Sequence, residues 1–378
     1  MLTNVFGLTF SVNGINYKTT SDSTVEVAYS AATTTGNVVI QGIITFTNTT
    51  YKVTSIGAQV FWGCTGLASV YIPSSITTIG SLAFFGCSNL TALNVDTMNT
   101  HYRSINGVLF NREKTSLIYY PGGKIGSYSI PASVSSIETY AFYGCSGLTA
   151  ITIPSSVTSV GDVAFGSCSG LSSITVDKAN PNYISSNGVL FDIGENNLIC
   201  YPIGKTGSYS IPTSVRVIGN SAFENCKGLT SITIPSTITD LGTYALGDCT
   251  NLENIKIYAT TPPATAKSLT GLTKTIPLYV PEESVDVYKN TFEWEDFTNI
   301  TGMTTGTENP QESNYSINIS NRKVQLSGIV GKSISVYDIS VKKIFEKSNT
   351  KNNEEFSVDK QGLYIISINN DKRKIIIY

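Results

Sequence analysis

Histidine is almost missing from this chain: among 378 residues there is one, His101. A Ser-His-Asp or Cys-His arrangement needs an imidazole beside its nucleophile, so a hydrolytic triad would have to run through that single position. No Cys-x-x-Cys pair, His cluster, calcium loop or glycine-rich phosphate loop occurs, so no metal or cofactor is expected. No run of about 18 apolar residues exists, so no transmembrane helix is expected. Met1–Phe10 has no basic start, long apolar centre or small-residue cleavage site, and so does not read as a signal peptide. Charge is scarce too. Only 14% of residues are Asp, Glu, Lys or Arg, and Ser, Thr, Asn, Gly and 21 tyrosines take their place, a mix suited to β-structure with polar, uncharged faces. The net charge of −2 is uneven: residues 1–313 carry 14 basic against 21 acidic side chains, and residues 314–378 carry 11 against 6. That shift marks a second domain beginning near 314. Its basic surface lacks interleaved aromatics and any nucleic-acid motif, so nucleic-acid binding is not expected.

What the chain has instead is repetition. Six cysteines fall into three pairs, Cys64 with Cys87, Cys145 with Cys168 and Cys226 with Cys249, with one short spacing inside every pair and one longer spacing between pairs. Each cysteine sits in a variant of one phrase: Ile-Pro-x-Ser-Val-x-x-Ile, then Ala-Phe-x-x-Cys-x-x-Leu, then Ile-x-Ile. Phe84, Phe142, Phe165 and Phe223 share one slot, with Phe61 and Leu246 in its first and last copies, and Leu67, Leu90, Leu148, Leu171, Leu229 and Leu252 share another. The short spacing, about 23 residues, is the period of a solenoid coil. The longer spacing is one coil plus an insert, and the insert occurs twice, at 96–130 and 177–211. Tyr102-Arg-Ser-Ile-Asn-Gly-Val-Leu-Phe110 matches Tyr183-Ile-Ser-Ser-Asn-Gly-Val-Leu-Phe191. Asn-Gly between such segments predicts a tight hairpin turn, so each insert is expected to add a hairpin and a further coil.

Within one coil, Ile151 and Ile153 alternate with Thr152, as a strand with one buried face requires, and Pro154 stops the strand because it has no donor for further pairing. Ala164-Phe165 is expected to begin a helical turn on the far side. Stacked coils would lay their strands side by side in a parallel sheet, each coil's apolar interior covered by its neighbours. The recurring cysteines admit two readings. Adjacent coils bring equivalent Cα atoms to about 5 Å, within disulfide range. Their side chains would nevertheless point in parallel, each between a core Phe and Leu, which favours buried free thiols acting as small apolar fillers. Cys200 replaces Tyr119 of the other insert at a position read as facing away from the core.

The phrase at Ile153–Ile174 resembles the BspA-like leucine-rich repeats of bacterial cell-surface proteins. The resemblance covers about Val53 to Tyr258, inserts included. It implies a right-handed leucine-rich solenoid of stacked parallel strands, β-rich in the α/β solenoid class, associated with adhesion to host proteins or other cells. Residues 1–52, with Phe10-Ser-Val-Asn-Gly-Ile-Asn-Tyr17, look like the usual lead-in, and 259–301, with Leu278-Tyr-Val-Pro281 and Trp294-Glu-Asp-Phe297, like the usual terminal cap. Residues 302–313, rich in Thr, Gly, Asn and Glu, read as a linker. Seven short alternating segments follow, at 316–319, 323–326, 333–338, 342–346, 355–358, 363–368 and 374–378, which predicts a small all-β sandwich. Its Ser335-Val-Tyr-Asp338, Gly362-Leu-Tyr-Ile365 and Lys374-Ile-Ile-Ile-Tyr378 resemble the sorting domain of proteins exported by the type IX route, which implies an extracellular or surface location.

No enzyme is expected. His101 has Asn182 as its twin in the second insert, so it reads as a loop histidine. Glu293, Glu295 and Asp296 flank Trp294 and could suggest paired carboxylates, but Trp294 and Phe297 are better placed covering the last coil's open edge. A binding scaffold remains. Its outward strand positions would form one ladder on the concave sheet: Tyr71, Asn94, Tyr119, Ser129, Thr152, Thr175, Cys200, Ser210, Thr233 and Lys256. Tyr71, Asn94, Tyr119, Thr152, Thr175, Thr233 and Lys256 are the candidate contact residues. The expected partners are proteins of a host or of neighbouring cells, with glycans as the alternative and the chain itself monomeric.

Overall fold

The computed structural model describes residues 7–29, 34–304 and, towards the C-terminus, 316–320, 323–327, 333–338, 342–348, 350–351, 353–358, 362–368 and 371–377. The chain divides into two compact units, Met1–Tyr209 with Ser214–Thr305, and Gly306–Tyr378 with Ser210–Thr213.

Each coil of the larger unit contributes one strand to a parallel row. The row comes in three lengths: Gly36–Val39, Leu67–Ile72 and Ala92–Val95; Gly126–Ser129, Leu148–Ile153 and Ser173–Val176; and Gly207–Ser210, Leu229–Ile234, Asn254–Ile257, Leu278–Pro281 and Ile300–Met303. Strand positions alternate as expected, with Ile151 and Ile153 buried and Thr152 exposed, and the strand ends before Pro154. A second row of very short strands, such as Ser136–Ile137 and Ser159–Val160, runs parallel on the next face. All of them but Ser136–Ile137, which Glu138 follows, are followed by a glycine, and at Gly161 two backbones approach closely: a Cβ there would lie 2.3 Å from the Thr139 nitrogen, so no other residue fits without moving a coil.

Tight turns stand where a helical turn was expected at Ala164-Phe165. The backbone gives the reason. Gln59, Leu82, Tyr140, Val163, Ser221 and Tyr244, one per coil and just ahead of the core slot, all have φ between 53° and 61°, and a left-handed residue breaks the helical run before it starts. Helix is confined to Glu282–Ser284 and Val285–Lys289 in the cap, among the described residues.

Inside, the six repeated cysteines form a buried column with no disulfide between them. Cys87, Cys145, Cys168 and Cys249 donate from Sγ to the carbonyls of Phe61, Tyr120, Phe142 and Phe223, at 2.9 to 3.4 Å, each one coil back. Burial pushes the Cys87 thiol up to about 12 and holds that of Cys145 well above the ordinary value, so neither supplies thiolate at neutral pH. Beside them the core rings stack: Phe61 on Phe84 at 5.6 Å, Tyr120 on Phe142 at 5.0 Å, Phe142 on Phe165 at 5.4 Å, Tyr201 on Phe223 at 4.9 Å.

Both inserts form the expected hairpin. Tyr102–Ile105 pairs antiparallel with Val108–Asn111 through Asn106 and Gly107, whose φ values of 50° and 80° are those of a type I′ turn. Val108, Leu109 and Phe110 are all buried. The hairpin then pairs with Ser116–Tyr119, which continues into the row of very short strands.

At the N-terminus, Thr9–Val12, Ile15–Thr19, Thr24–Val27, Ile43–Phe46 and Thr49–Ile56 form a sheet that Thr78–Ile79, the first of the very short strands, joins by pairing with Ser55 and Ile56. Gly36–Val39 already belongs to the main row, as a lead-in coil within residues 1–52. At the other end, Trp294 is fully buried and donates from Nε1 to the Pro263 carbonyl at 3.0 Å, and Phe297 packs beside it. Gly302 and Met303, read as linker, are strand residues paired with Val280 and Pro281; residues 305–313 lie outside the described residues.

The smaller unit has the seven strands the alternation predicts. They form sheets of three (Ser316–Ser320, Lys323–Ser327, Asn353–Ser357) and four (Lys343–Lys347, Ile334–Asp338, Gly362–Ile368, Asp371–Ile377). Val324, Leu326, Ile334, Val336, Phe356, Ile366 and Ile368 fill its core.

A candidate interaction face on the stacked strands

The outward positions of the main row do not form one unbroken ladder. Tyr71 pairs with Asn94, and Val39 precedes them; Ser129, Thr152 and Thr175 make a second run; Thr233, Lys256, Tyr279 and Thr301 make a third, with Ser210 on the strand before. The hairpins cause the breaks. Leu93 N and Ile174 N donate to the carbonyls of Gly107 and Gly188 at 2.9 Å, and Val95 N and Val176 N to the hydroxyls of Ser104 and Ser185. These donors would otherwise pair with a next strand.

Tyr119 and Cys200 are not on this face at all. Their strands, Ser116–Tyr119 and Asn197–Cys200, belong to the row of very short strands. Tyr119 lies against Phe84 at 5.6 Å and donates its hydroxyl to the Phe84 carbonyl at 2.7 Å, and burial holds its pKa well above the ordinary value. Cys200 is half-buried in the same slot near Phe165, with its thiol likewise raised by burial, so it is neither outward-facing nor activated. The alternation that assigned both positions outward counts from a strand with one buried face, whereas these two strands are covered on both.

The remaining candidates are where the sequence puts them. Tyr71 is 36% exposed, and its hydroxyl donates to Asp96 Oδ2 at 2.8 Å, which raises the Tyr71 pKa. Donation from the Met98 N–H, with that of Tyr71, holds the Asp96 carboxyl below its usual range. Asn94, Thr152, Thr175 and Lys256 are exposed and Thr233 is half-buried. Tyr279, half-buried in register with Lys256, and Thr301 beyond it extend the face into the cap. The alternation of Leu278-Tyr-Val-Pro281 was signal enough to find Tyr279. The face therefore offers hydroxyls and amides, two tyrosines and few charges.

The fold carries the residues weighed for chemistry differently. His101 Nδ1 lies 3.0 Å from the Thr100 hydroxyl on an exposed loop. Glu293 accepts from the Ser268 and Leu269 N–H groups at 3.0 and 3.4 Å, so its carboxylate ties the cap to the last coil. No group of three or more His, Cys, Asp or Glu side chains converges among the described residues, and no helix among them is long and apolar enough to cross a membrane.

Comparison with known families decides what the array is. The profile described as BspA type Leucine rich repeat region matches six copies, over residues 40–123, 117–191 and 197–320. The chain belongs to the BspA-type leucine-rich repeat family. Among solved structures this BspA-type chain is similar to a leucine-rich cell-surface protein of Faecalibacterium prausnitzii (22% identity, 80% of this chain and 96% of that one, TM-score 0.40). It is similar also to a leucine-rich repeat protein of Eubacterium ventriosum (21%, 78% and 84%, TM-score 0.45) and to the pneumococcal vaccine antigen PcpA (18%, 79% and 100%, TM-score 0.42). Comparison with curated proteins gave no match.

Proposed function

We propose that this BspA-type chain is a non-enzymatic protein of the bacterial cell surface or its surroundings that binds other proteins, on a host or on neighbouring cells, through the outward face of its stacked strands. The observation that carries the reading is that face: a rigid row of Tyr71–Asn94, Ser129–Thr152–Thr175 and Thr233–Lys256–Tyr279, held by backbone pairing and carrying hydroxyls and amides that no catalytic arrangement uses. Such a surface gives broad, weakly charged contact in which a few aromatic residues supply most of the affinity. The C-terminal unit is proposed as the export-sorting domain, its Ser335–Asp338 and Gly362–Ile365 segments lying on neighbouring strands of one sheet. The glycan alternative rests on tyrosines stacking on sugar rings, and with Tyr119 in the interior only Tyr71 of the two candidate tyrosines remains available to a sugar.

Binding of the purified chain to immobilised matrix proteins and to bacterial cells, compared with the Tyr71→Ala, Asn94→Ala and Thr152→Arg variants, tests this. The expected result is at least a tenfold weakening for Tyr71→Ala with its melting temperature unchanged, as for an aromatic that anchors an interface without supporting the fold. Tyr119→Ala should lower stability instead. Binding to an identified partner that survives substitutions along all three runs would remove this face as the site, and hits confined to a glycan array would favour sugars over proteins.

A further inference from the structure

A second surface lies away from the strand face, where the residue after each core aromatic turns outward. Trp62 follows Phe61, Phe85 follows Phe84 and Tyr143 follows Phe142. Their rings form one row across three coils, Trp62 stacked on Phe85 at 4.3 Å and Phe85 on Tyr143 at 4.6 Å. Tyr140 stands edge-on to both Phe85 and Tyr143, at 6.4 and 5.7 Å. Trp62 and Tyr140 are 41% and 36% exposed. Two clefts of about 560 and 450 Å³ flank the row and share Leu82, Phe85, Tyr140 and Tyr143, so they make one groove. Glu138 lies in the first, Asp162 and Glu224 in the second, and neither is lined by a lysine or arginine. The Glu138 carboxylate accepts from the hydroxyls of Ser116 and Ser136 and has no cationic partner among the described residues.

The chain contains its own control for whether folding requires these aromatics. The coils on either side of the second insert build the equivalent cleft, lined by Gly166 in place of Phe85, Ser221 in place of Tyr140 and Gly219 in place of Glu138, while Glu224, at the position of Tyr143, lines the second of the two clefts above. Ser221 has the same left-handed backbone as Tyr140, φ 53° against 61°. The coil thus forms without an aromatic groove, and at 140 it carries a bulky ring in a conformation such residues seldom adopt.

We propose that this groove binds an extended cationic peptide segment of a partner protein, with a lysine or arginine side chain between Tyr140 and Glu138 and apolar residues along Phe85 and Tyr143. Clefts of this size take side chains, not a folded domain. Rings stacked on one another offer their edges, which suits aliphatic or prolyl contact, whereas a sugar would need an open face. The carboxylates at either end supply the charge complementarity, and a cation over the face of the Tyr140 ring gains from ring and carboxylate together.

The test is selection of phage-displayed random dodecapeptides on the full chain, followed by fluorescence anisotropy of one selected peptide with the wild type and with Tyr140→Ser, Glu138→Gln and Tyr71→Ala. The selected sequences should be rich in Lys and Arg. Binding should weaken about tenfold with Tyr140→Ser, weaken several-fold with Glu138→Gln, fall with added salt, and be unaffected by Tyr71→Ala, which separates this groove from the strand face. Ser at 140 copies Ser221, the residue at the same position after the second insert, and Glu138 is exposed, so both variants should fold, as a thermal melt would register. Failure to select any peptide, selected peptides without basic residues, or affinity unchanged by Tyr140→Ser and Glu138→Gln would overturn the proposal. So would a neutral oligosaccharide bound through Tyr140 in place of a peptide.

Discussion

Replacing Phe142 with alanine should lower the free energy of unfolding by about 4 kcal/mol, the range for a fully buried aromatic whose removal leaves a cavity. Its ring touches three others, Tyr120 at 5.0 Å, Phe165 at 5.4 Å and Tyr128 at 6.1 Å, so the space cannot be refilled from one side. Two coils depend on it, because the Phe165 ring one coil on stacks against it. In a solenoid each coil contacts only its neighbours, so the loss should appear as early opening of the segments around 120–176 while the cap at 278–303 remains protected. Urea unfolding followed by hydrogen exchange would show this. A loss below about 1 kcal/mol would mean that the ring column does not hold the coils together.

The second large effect is expected at an asparagine. Asn180 is buried and makes four hydrogen bonds: its Nδ2 donates to the carbonyls of Pro154 and Val157 at 2.8 and 2.9 Å, and its Oδ1 accepts from the N–H groups of Asn182 and Tyr183 at 2.9 and 2.8 Å. It stitches the second insert to the coil before it, and Asn99 does the same for the first with Pro73, Ile76, His101 and Tyr102. Asn180→Leu preserves the volume but orphans two carbonyls and two N–H groups, a cost on the order of 4 kcal/mol once water reaches some of them. The Tyr183 hydroxyl, which accepts from Val160 N at 3.0 Å, should lose its place as well. Thermal unfolding measures the first effect and exchange of the Val160 amide the second. A leucine variant as stable as the parent would show that the insert is held by its buried Val-Leu-Phe strand alone.

These two residues show what the sequence discloses and what it withholds. Phe142 was legible because a core slot repeats its chemistry in every coil, and the cysteine and leucine columns were legible for the same reason. Asn99 and Asn180 recur only once per insert, and an isolated Asn reads as surface until its four backbone partners are seen. Tyr119 failed for a different reason. Alternation tells inside from outside only where one face is covered, and the Ile-Tyr-Tyr-Pro strand packs Tyr119 against Phe84 and Tyr120 against Phe142, so both rings serve the core. The breaks in the ladder were hidden because they depend on the Gly107 and Gly188 carbonyls reaching the main row. The groove at Phe85, Tyr140 and Tyr143 was missed because the slot after the core Phe varies among the copies.

The stacking of coils is tested most directly by the positions of the sulfur atoms, located by anomalous scattering from a crystal. The account predicts that Cys64, Cys87, Cys145, Cys168, Cys226 and Cys249 lie in a single column with no disulfide between them, and that Cys200 lines the slot it shares with Phe165. Sulfurs scattered among unrelated surroundings, or joined in pairs, would contradict it.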